Sequence, residues 1–536
     1  MTDVEVAVRD ELPREPWLGT WVRSYPDRVP TLVAALDRAV RRFPDHVALE
    51  TPEAVVTYTE FADLVEGAVS TLLGLGFRTG DRLVVALPNG LDAAVAIWAC
   101  ARAGLIFVGL STRLQPTQWA YMLEHSAPRR AVAAPEHLAG LREAGTLAGL
   151  PAAAVTPVGG LLTGTRRPWL GDHPDRPFPD QDTVYGIVYT SGTTGRPKAS
   201  QLVHRATMHS AIAYIRILNL IEGDRTAVVF PMYYVTAHVA QITPMMLVGG
   251  TSVAVREFSA RDFVALLRDH GITYLMVVPS IWGLLLRCDG FRWPDLDHVR
   301  IGAFGGSPVP LSTIEALRAR MPQLRLYDAY GLTETHSPAT CLVDAEFRRK
   351  PGSVGRPVPC AEVRVVDESG ADLPTGEAGE LWVRGPMITP GYYGDPDATA
   401  QAITDGWLHT GDLARLDDEG YVYILDRMKD MIMRGGNKIY SVELEYVLVS
   451  HPAIAEAAVV GIPDQLAYEA VAAYVVPAPG ATVDPVEVRR WVAHRLADYA
   501  VPKLVRVVEA IPRNRTGKID KIALRAELIA HRAESA

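Results

Sequence analysis

Two glycines, three threonines, a serine and a lysine fall within ten residues, Tyr189-Thr190-Ser191-Gly192-Thr193-Thr194-Gly195-Arg196-Pro197-Lys198. Such a run can grip a phosphate. Gly192 and Gly195 let backbone amides come close to an anion, the hydroxyls of Thr190, Ser191, Thr193 and Thr194 add donors, and Lys198 adds a positive point charge. The Walker P-loop needs four residues between its glycines and a Gly-Lys-Ser/Thr ending. Here two residues separate Gly192 from Gly195 and Arg196-Pro197 follow, so that motif is excluded. Standing alone, the run also has an ordinary reading as a polar turn.

Further polar clusters are spaced along the second half of the chain. Phe304-Gly305-Gly306-Ser307-Pro308 offers a glycine pair against which a flat ring can lie, and Tyr330-Gly331-Leu332-Thr333-Glu334 puts an aromatic, a hydroxyl and a carboxylate in one short loop. Thr333 can bond a phosphate oxygen, and Glu334 can hold Mg²⁺ through a hard oxygen ligand. In Trp407-Leu408-His409-Thr410-Gly411-Asp412 the carboxylate of Asp412, read as lying near a turn, can accept hydrogen bonds from two ribose hydroxyls. Asp426-Arg427-Met428-Lys429-Asp430 is a charge run, and Pro512-Arg513-Asn514-Arg515-Thr516-Gly517-Lys518 carries a lysine on a glycine loop. Each cluster has a structural counterpart: a tight turn, a helix start at Thr333-Glu334, a turn residue at Asp412, a solvated charge run and an inert basic loop.

These clusters need strand ends to present them. Val184–Tyr189 is an apolar run that reads as a buried strand leading into the phosphate-type loop. Upstream, Arg82–Leu87, a helix over about Asp92 to Arg102 and Leu105–Leu110 read as strand, helix and strand, which implies a parallel right-handed crossover. The alternation resumes at Ala227–Phe230, Ala260–Asp269, Tyr274–Val278, Arg300–Phe304, Leu311–Arg320 and Leu324–Tyr327, so a large α/β body is expected. Around residue 361 the texture changes to hairpins, with turns at Asp367-Glu368-Ser369-Gly370 and Asp417-Asp418-Glu419-Gly420. Beyond Asp426 a helix at Ser441–Ser450, two strands within Ala457–Val476 and helices at Pro485–Leu496 and Asp520–His531 suffice for a separate α+β domain. Leu138–Leu162, rich in Ala, Gly and Leu, is the least decisive stretch.

At 536 residues, two or more domains are expected. A hydrophobic fraction of 48% and a charged fraction of 21% are those of an ordinary globular protein, which argues against disorder. A formal net charge of -9 gives no reason to expect nucleic acid as partner, so an anionic substrate must be met by local groups. Cys100, Cys288, Cys341 and Cys360 form no close pair, against a zinc site or a disulfide scaffold and in favour of the reducing cytoplasm. The acidic N-terminus lacks the pattern of a signal peptide, the apolar stretch Ala93–Leu110 is broken by Arg102, and the C-terminal Ala-Glu-Ser-Ala is no organelle address. No membrane span is expected, and either a monomer or a homodimer.

Taken together the clusters resemble the adenylate-forming superfamily of acyl-CoA synthetases, firefly luciferase and the adenylation domains of peptide synthetases, from Thr57-Tyr58 to Lys518 and in the family's order. The resemblance implies a large N-terminal domain of α/β layers over residues 1–428, with a small β-barrel-like subdomain at about 361–426, and a small mobile α+β lid domain over 429–536. It implies that Thr190–Lys198 holds the β- and γ-phosphates of ATP, and that Gly305, Gly306 and Ser307 border the adenine and the acyl chain. Asp328 and Tyr330 would contact or stack on adenine, with Ala329 and Gly331 in the same nucleotide-binding stretch. Thr333 would meet the α-phosphate, Glu334 the Mg²⁺, and Asp412 and Arg427 the ribose. Lys518 would be the catalytic lysine, Lys429 the hinge, and Gly435 and Gly436 would face a tunnel for the pantetheine of coenzyme A.

Amino-acid-activating relatives carry an Asp at the position of Tyr234, to pair with the substrate ammonium. With Tyr234 there, the resemblance implies an uncharged acyl or aryl acid. Tyr234, Val235, Ala237, His238, Ser280, Trp282 and Phe304 are the candidate walls of its pocket, His238 having the alternative of a satisfied core histidine. Coenzyme A is the expected acceptor, since no carrier-protein domain follows residue 536. Ala500 and the pair Asn437-Lys438 depart from the family's Lys and Glu-Asn, which leaves a carrier protein or an amine as alternative acceptors.

Overall fold

In a computed structural model, the structure describes residues 12–190, 197–306, 309–428, 430–434, 437–464, 468–513 and 519–534. Two large sheets share a central layer of helices. One runs in the order Lys198–Val203, Val184–Thr190, Ile106–Gly109, Arg82–Ala86, Arg130–Ala133, Val155–Pro157. The other, of nine strands, has at its centre Arg325–Tyr330, Ile301–Gly305, Tyr274–Val277, Arg225–Val228 and Thr251–Ala254. These central pairs are parallel, and the continuous apolar runs of their strands are what burial on both faces demands.

Between the sheets lie Leu32–Arg42, Tyr58–Gly74 and Leu91–Ala103, packed in one core with Leu83, Val85 and Phe107 of the first sheet and Leu49, Val228 and Ala254 of the second. Leu91–Ala103 is buried on every side from Ala93 to Arg102 and ends at Gly104, whose left-handed φ of 66° closes the last turn onto Cys100. Tyr58–Gly74 starts on a reciprocal cap between Thr57 and Glu60. The charge in the middle of this layer has partners. Arg102 lies 3.5 Å from Glu66 through Nε, donates to Gly171 O and is faced by the rings of Trp169 and Phe178, while Arg176 binds the other Glu66 oxygen. Among the described residues no helix is long and apolar enough to cross a membrane.

The strand Val184–Thr190 pairs antiparallel with Lys198–Val203, Thr190 opposite Lys198. The loop between them is thus the tip of a hairpin, a strand-to-strand connection where a Walker loop runs from strand to helix. Lys198–Val203 then feeds the buried helix His204–Leu218. Residues 362–427 form a separate antiparallel sheet of Glu362–Val366, Gly379–Arg384, Trp407–Leu416 and Ile403–Thr404, with Val422–Arg427 on the free side of Trp407–Leu416. In Gly379–Arg384 the residues alternate strictly, Leu381 and Val383 inward and Glu380, Trp382 and Arg384 outward. The last sheet holds Ile432–Arg434, Asn437–Ile439, Ile454–Asp464, Tyr468–Pro477 and Leu504–Val507. It has a core of its own around Leu444, Val459, Val471 and Val488.

Candidate active site

Glu334 sits where three segments meet. The Tyr392 hydroxyl donates to its Oε1 at 3.0 Å, and the Thr190 hydroxyl, which also faces Lys198 O at 3.5 Å, donates to the same oxygen at 3.3 Å. The Thr389 amide donates to the Glu334 backbone carbonyl at 2.8 Å, so the loop after Tyr330 is tied to the chain at 389–392. That chain is fastened to the hairpin: Gln201 N donates to Gly391 O, Tyr393 N donates to Ala199 O, and Ser200 and Tyr392 form a β-bridge. Lys198 Nζ stands 4.9 Å from the centre of the Tyr392 ring. A carboxylate at the open end of a hydroxyl- and lysine-bearing hairpin suits Mg²⁺, which takes hard oxygens and is usually held by one or two carboxylates plus substrate phosphates. No group of three or more His, Cys, Asp or Glu gathers among the described residues.

At the other end of the same loop, the Tyr330 hydroxyl donates to Asp412 Oδ2 at 2.5 Å and Arg427 Nε lies 2.6 Å from Asp412 Oδ1. Burial and then the Asp412 charge hold the Tyr330 phenol far above its ordinary range, so it stays a donor. The expectation that Asp412 lies near a turn is corrected: it is within the ten-residue strand Trp407–Leu416, opposite Arg427. The strand passes through Gly411 in a left-handed conformation, φ 68°, which a turn-forming Thr-Gly-Asp sequence can adopt without leaving the sheet. Asp426, the neighbour of Arg427, is buried rather than part of a solvated run, and accepts from Ser441 N at 2.5 Å and Ser441 Oγ at 2.9 Å.

Asp328 is opposite Phe304 and Ala329 opposite Gly305 in the parallel pair of Ile301–Gly305 and Arg325–Tyr330. Gly306 follows at φ 86°, a value that suits glycine. Burial pushes the Asp328 carboxyl up to about 7, whereas in an unfolded chain it titrates at about 3.9. The folded protein thus holds this proton better, and its stability falls as pH rises from the lower value through the higher. Asp328→Asn, which stays neutral, is expected to raise the thermal midpoint more at pH 8 than at pH 5. Equal shifts at both would mean that the carboxyl titrates normally.

The candidate acyl residues divide. Tyr234 is half-buried, its ring 4.5 Å from that of Tyr233, and Ser280 is exposed at the start of Pro279–Leu285, while Val235 is buried beside Tyr234. Ala237, His238, Trp282 and Phe304 are wholly buried. His238 has Tyr185 OH at 3.2 Å from Nε2 and Met232 O at 3.2 Å from Nδ1, and burial lowers its pKa to about 4. Phe304 packs on Trp282 and Phe347. In this structure these four pack as core residues and present no open surface. Gly331 and Thr333 lie partly exposed in the loop between Tyr330 and Glu334. Ser191, Gly192, Thr193, Thr194, Gly195, Ser307, Lys429, Gly435, Gly436 and Lys518 lie outside the described residues. Tyr392 was missed from sequence, although an aromatic pair between Gly391 and Gly394, directly after Pro390, marks a turn with something to present.

Two stacked α/β sheets, an antiparallel subdomain and a small α+β unit, with acidic residues at the strand ends, make up the layered architecture of adenylate-forming enzymes. A family model described as AMP-binding enzyme matches residues 36–393, and one described as the AMP-binding enzyme C-terminal domain matches residues 443–518. The chain belongs to the AMP-binding enzyme family. It is 33% identical over 486 residues to a feruloyl-CoA synthase of an Amycolatopsis species, covering 90% of this chain and 96% of that one. An o-succinylbenzoate CoA synthetase from Bacillus subtilis, solved with its acyl-adenylate intermediate, superposes with a TM-score of 0.82 at 29% identity, covering 92% of this chain and 97% of the other. The amide bond synthetase McbA from Marinactinospora thermotolerans superposes with the same TM-score of 0.82 at 28% identity, covering 92% and 99%.

Proposed function

We propose that this protein activates a carboxylic acid as its acyl-adenylate, with release of pyrophosphate, and passes the acyl group to coenzyme A. The observation that carries the reading is the loop Tyr330–Glu334, one end of which rests through Tyr330 on Asp412 and the other through Glu334 on Thr190. A nucleotide laid along that loop has its ribose at Asp412 and Arg427 and its phosphates at Thr190–Lys198. Mg²⁺, when bound at Glu334, supplies positive charge to the phosphates. The acid's carboxylate oxygen attacks the α-phosphorus, the new O–P bond replaces the bond to the bridging oxygen, and pyrophosphate leaves. The coenzyme A sulfur, having lost its proton, then attacks the acyl carbon, and AMP leaves.

Bringing two anions together requires neutralisation without water, which Lys518 provides for the first step. Residues 429–536 act as the lid that turns about Lys429 and opens the way for pantetheine past Gly435 and Gly436. Tyr234 offers no charge to a substrate ammonium, so the acid is an uncharged acyl or aryl acid, in keeping with the likeness to a feruloyl-CoA synthase. A second reading, transfer to an amine or to a carrier protein, is left open by Ala500 and Asn437-Lys438, and the likeness to an amide bond synthetase supports the amine.

Pyrophosphate release from Mg²⁺-ATP over a panel of short, long and aryl acids tests both readings. Release that depends on one acid class, with coenzyme A multiplying turnover and thioester accumulating, is expected. Acid-dependent release indifferent to coenzyme A would move the acceptor to an amine or a carrier protein, and silence across the panel in folded protein would reject adenylation of these acids.

A further inference from the structure

We propose that Tyr392 is the positioning residue for the metal-binding carboxylate: its hydroxyl fixes Glu334 by Oε1, so that the cation is left Oε2. The inference rests on the reading of Glu334 given above and adds to it. Oε1 receives two hydroxyls, from Tyr392 at 3.0 Å and Thr190 at 3.3 Å. No described residue donates to Oε2. A carboxylate with one oxygen accepting two hydrogen bonds is held against rotation, and the remaining oxygen is offered singly, as a small octahedral cation that keeps most of its waters prefers.

Tyr392 is well placed to be rigid. Its backbone amide receives no help from the loop it serves: it donates to Thr399 Oγ1 at 2.9 Å, and the residue bridges Ser200 in the hairpin's second strand. The ring serves a second purpose, because the Lys198 ammonium stands 4.9 Å from its centre. One side chain thus touches the carboxylate with its tip and the lysine with its face, and Thr190 and Lys198 are the two residues that bracket the phosphate-type loop. An ammonium on an aromatic face is held weakly enough at a partly exposed site, by about 0.5–1 kcal/mol, to be given up to a phosphate. Tyr392 therefore holds the metal-binding carboxylate and the phosphate-binding ammonium of the triphosphate end in register before the nucleotide arrives.

The test is Tyr392→Phe, which keeps the ring under Lys198 and removes only the hydroxyl, beside Glu334→Gln. Mn²⁺ serves as the probe, the free ion being counted by electron paramagnetic resonance in mixtures of protein and ATP without any acid. Loss of an outer hydrogen bond to a metal ligand typically weakens metal binding by about 10–100-fold. Tyr392→Phe is expected to weaken Mn²⁺ retention by about 10-fold or more, while ATP affinity in EDTA stays within about two-fold of the parent. In turnover, half-saturation should move to higher Mg²⁺ and kcat should recover at excess Mg²⁺, a split that a general structural defect would not give. If Glu334→Gln loses Mn²⁺ and Tyr392→Phe does not, the positioning role is overturned and the reading of Glu334 stands. If neither variant loses Mn²⁺, the reading of Glu334 fails and takes this inference with it.

Discussion

Lys518→Ala is expected to lower acid-dependent exchange of pyrophosphate into ATP by about 10²–10³-fold. The reacting carboxylate and the α-phosphate are both anions, and an ammonium positioned on the developing charge in a water-poor site is worth about 3–4 kcal/mol in the transition state, little of which is realised in the ground state. The Km for ATP should change little, because the ribose and phosphate contacts proposed for Asp412, Arg427 and the hairpin loop are untouched. Thioester formation from a supplied acyl-adenylate should survive, since that step no longer brings a carboxylate to a phosphate. A variant that exchanges pyrophosphate at the parent rate would remove Lys518 from the first step. One that loses both steps equally would point to a folding defect.

The second large effect concerns stability. Glu66→Ala is expected to destabilise the N-terminal body by about 3–5 kcal/mol, because it leaves the buried Arg102 guanidinium without its counter-charge. Glu66 and Arg102 are 1% and 2% exposed. Burial already acts against the Arg102 charge, with Glu66 the main opposing influence. The urea midpoint of Glu66→Ala should fall, and that of Glu66→Ala/Arg102→Met should recover part of the loss, since the charge that then loses Glu66 is that of Arg176, which is partly exposed to water. If the double variant is as unstable as the single one, packing rather than charge is what Glu66 contributes.

Arg102 also shows what a sequence does and does not disclose. Its presence rightly spoke against a membrane span in Ala93–Leu110, yet nothing local announced Glu66, Trp169 or Phe178, which reach it from other parts of the chain. The alternating strands and helices of the body were legible because parallel strands are apolar throughout and helices carry their own period. Residues 138–162 were opaque for the converse reason: their Ala, Gly and Leu fit any element. They turn out to hold most of the helix Pro135–Leu147 and the edge strand Val155–Pro157. The strand Lys198–Val203 went unread because Lys, Ser and Gln interrupt it, and it is identified only by its partner strand.

The site was legible as a set of clusters and not as a set of contacts. Glu334 and Asp412 were found by residue type, but Asp412 was placed near a turn since Thr-Gly-Asp is a turn sequence in isolation, and the sheet overrides it. His238 and Phe304 were drawn into the pocket by their neighbourhood to Tyr234 and the glycine pair. Side-chain direction, which burial decides and spacing does not, turned them into the core. Tyr392 needed the bridge between residues 391–393 and the hairpin, a pairing across almost 200 positions of sequence that no local pattern encodes.

The hairpin has a kinetic consequence. A phosphate loop that continues into a helix has the helix's positive end behind it, a fixed partial charge that holds an anion whether or not a metal is present. Here the chain leaves by the strand Lys198–Val203, whose peptide dipoles largely cancel. In the proposed site the attraction for the outer phosphates then comes from loop amides, side chains and the cation rather than from a helix end, and a grip assembled from such separate groups is released piece by piece. On the proposed reading, once the bond to the α-phosphorus has broken, pyrophosphate departs with its metal and no helix end draws it back, so expulsion of the first product is eased by the choice of strand over helix.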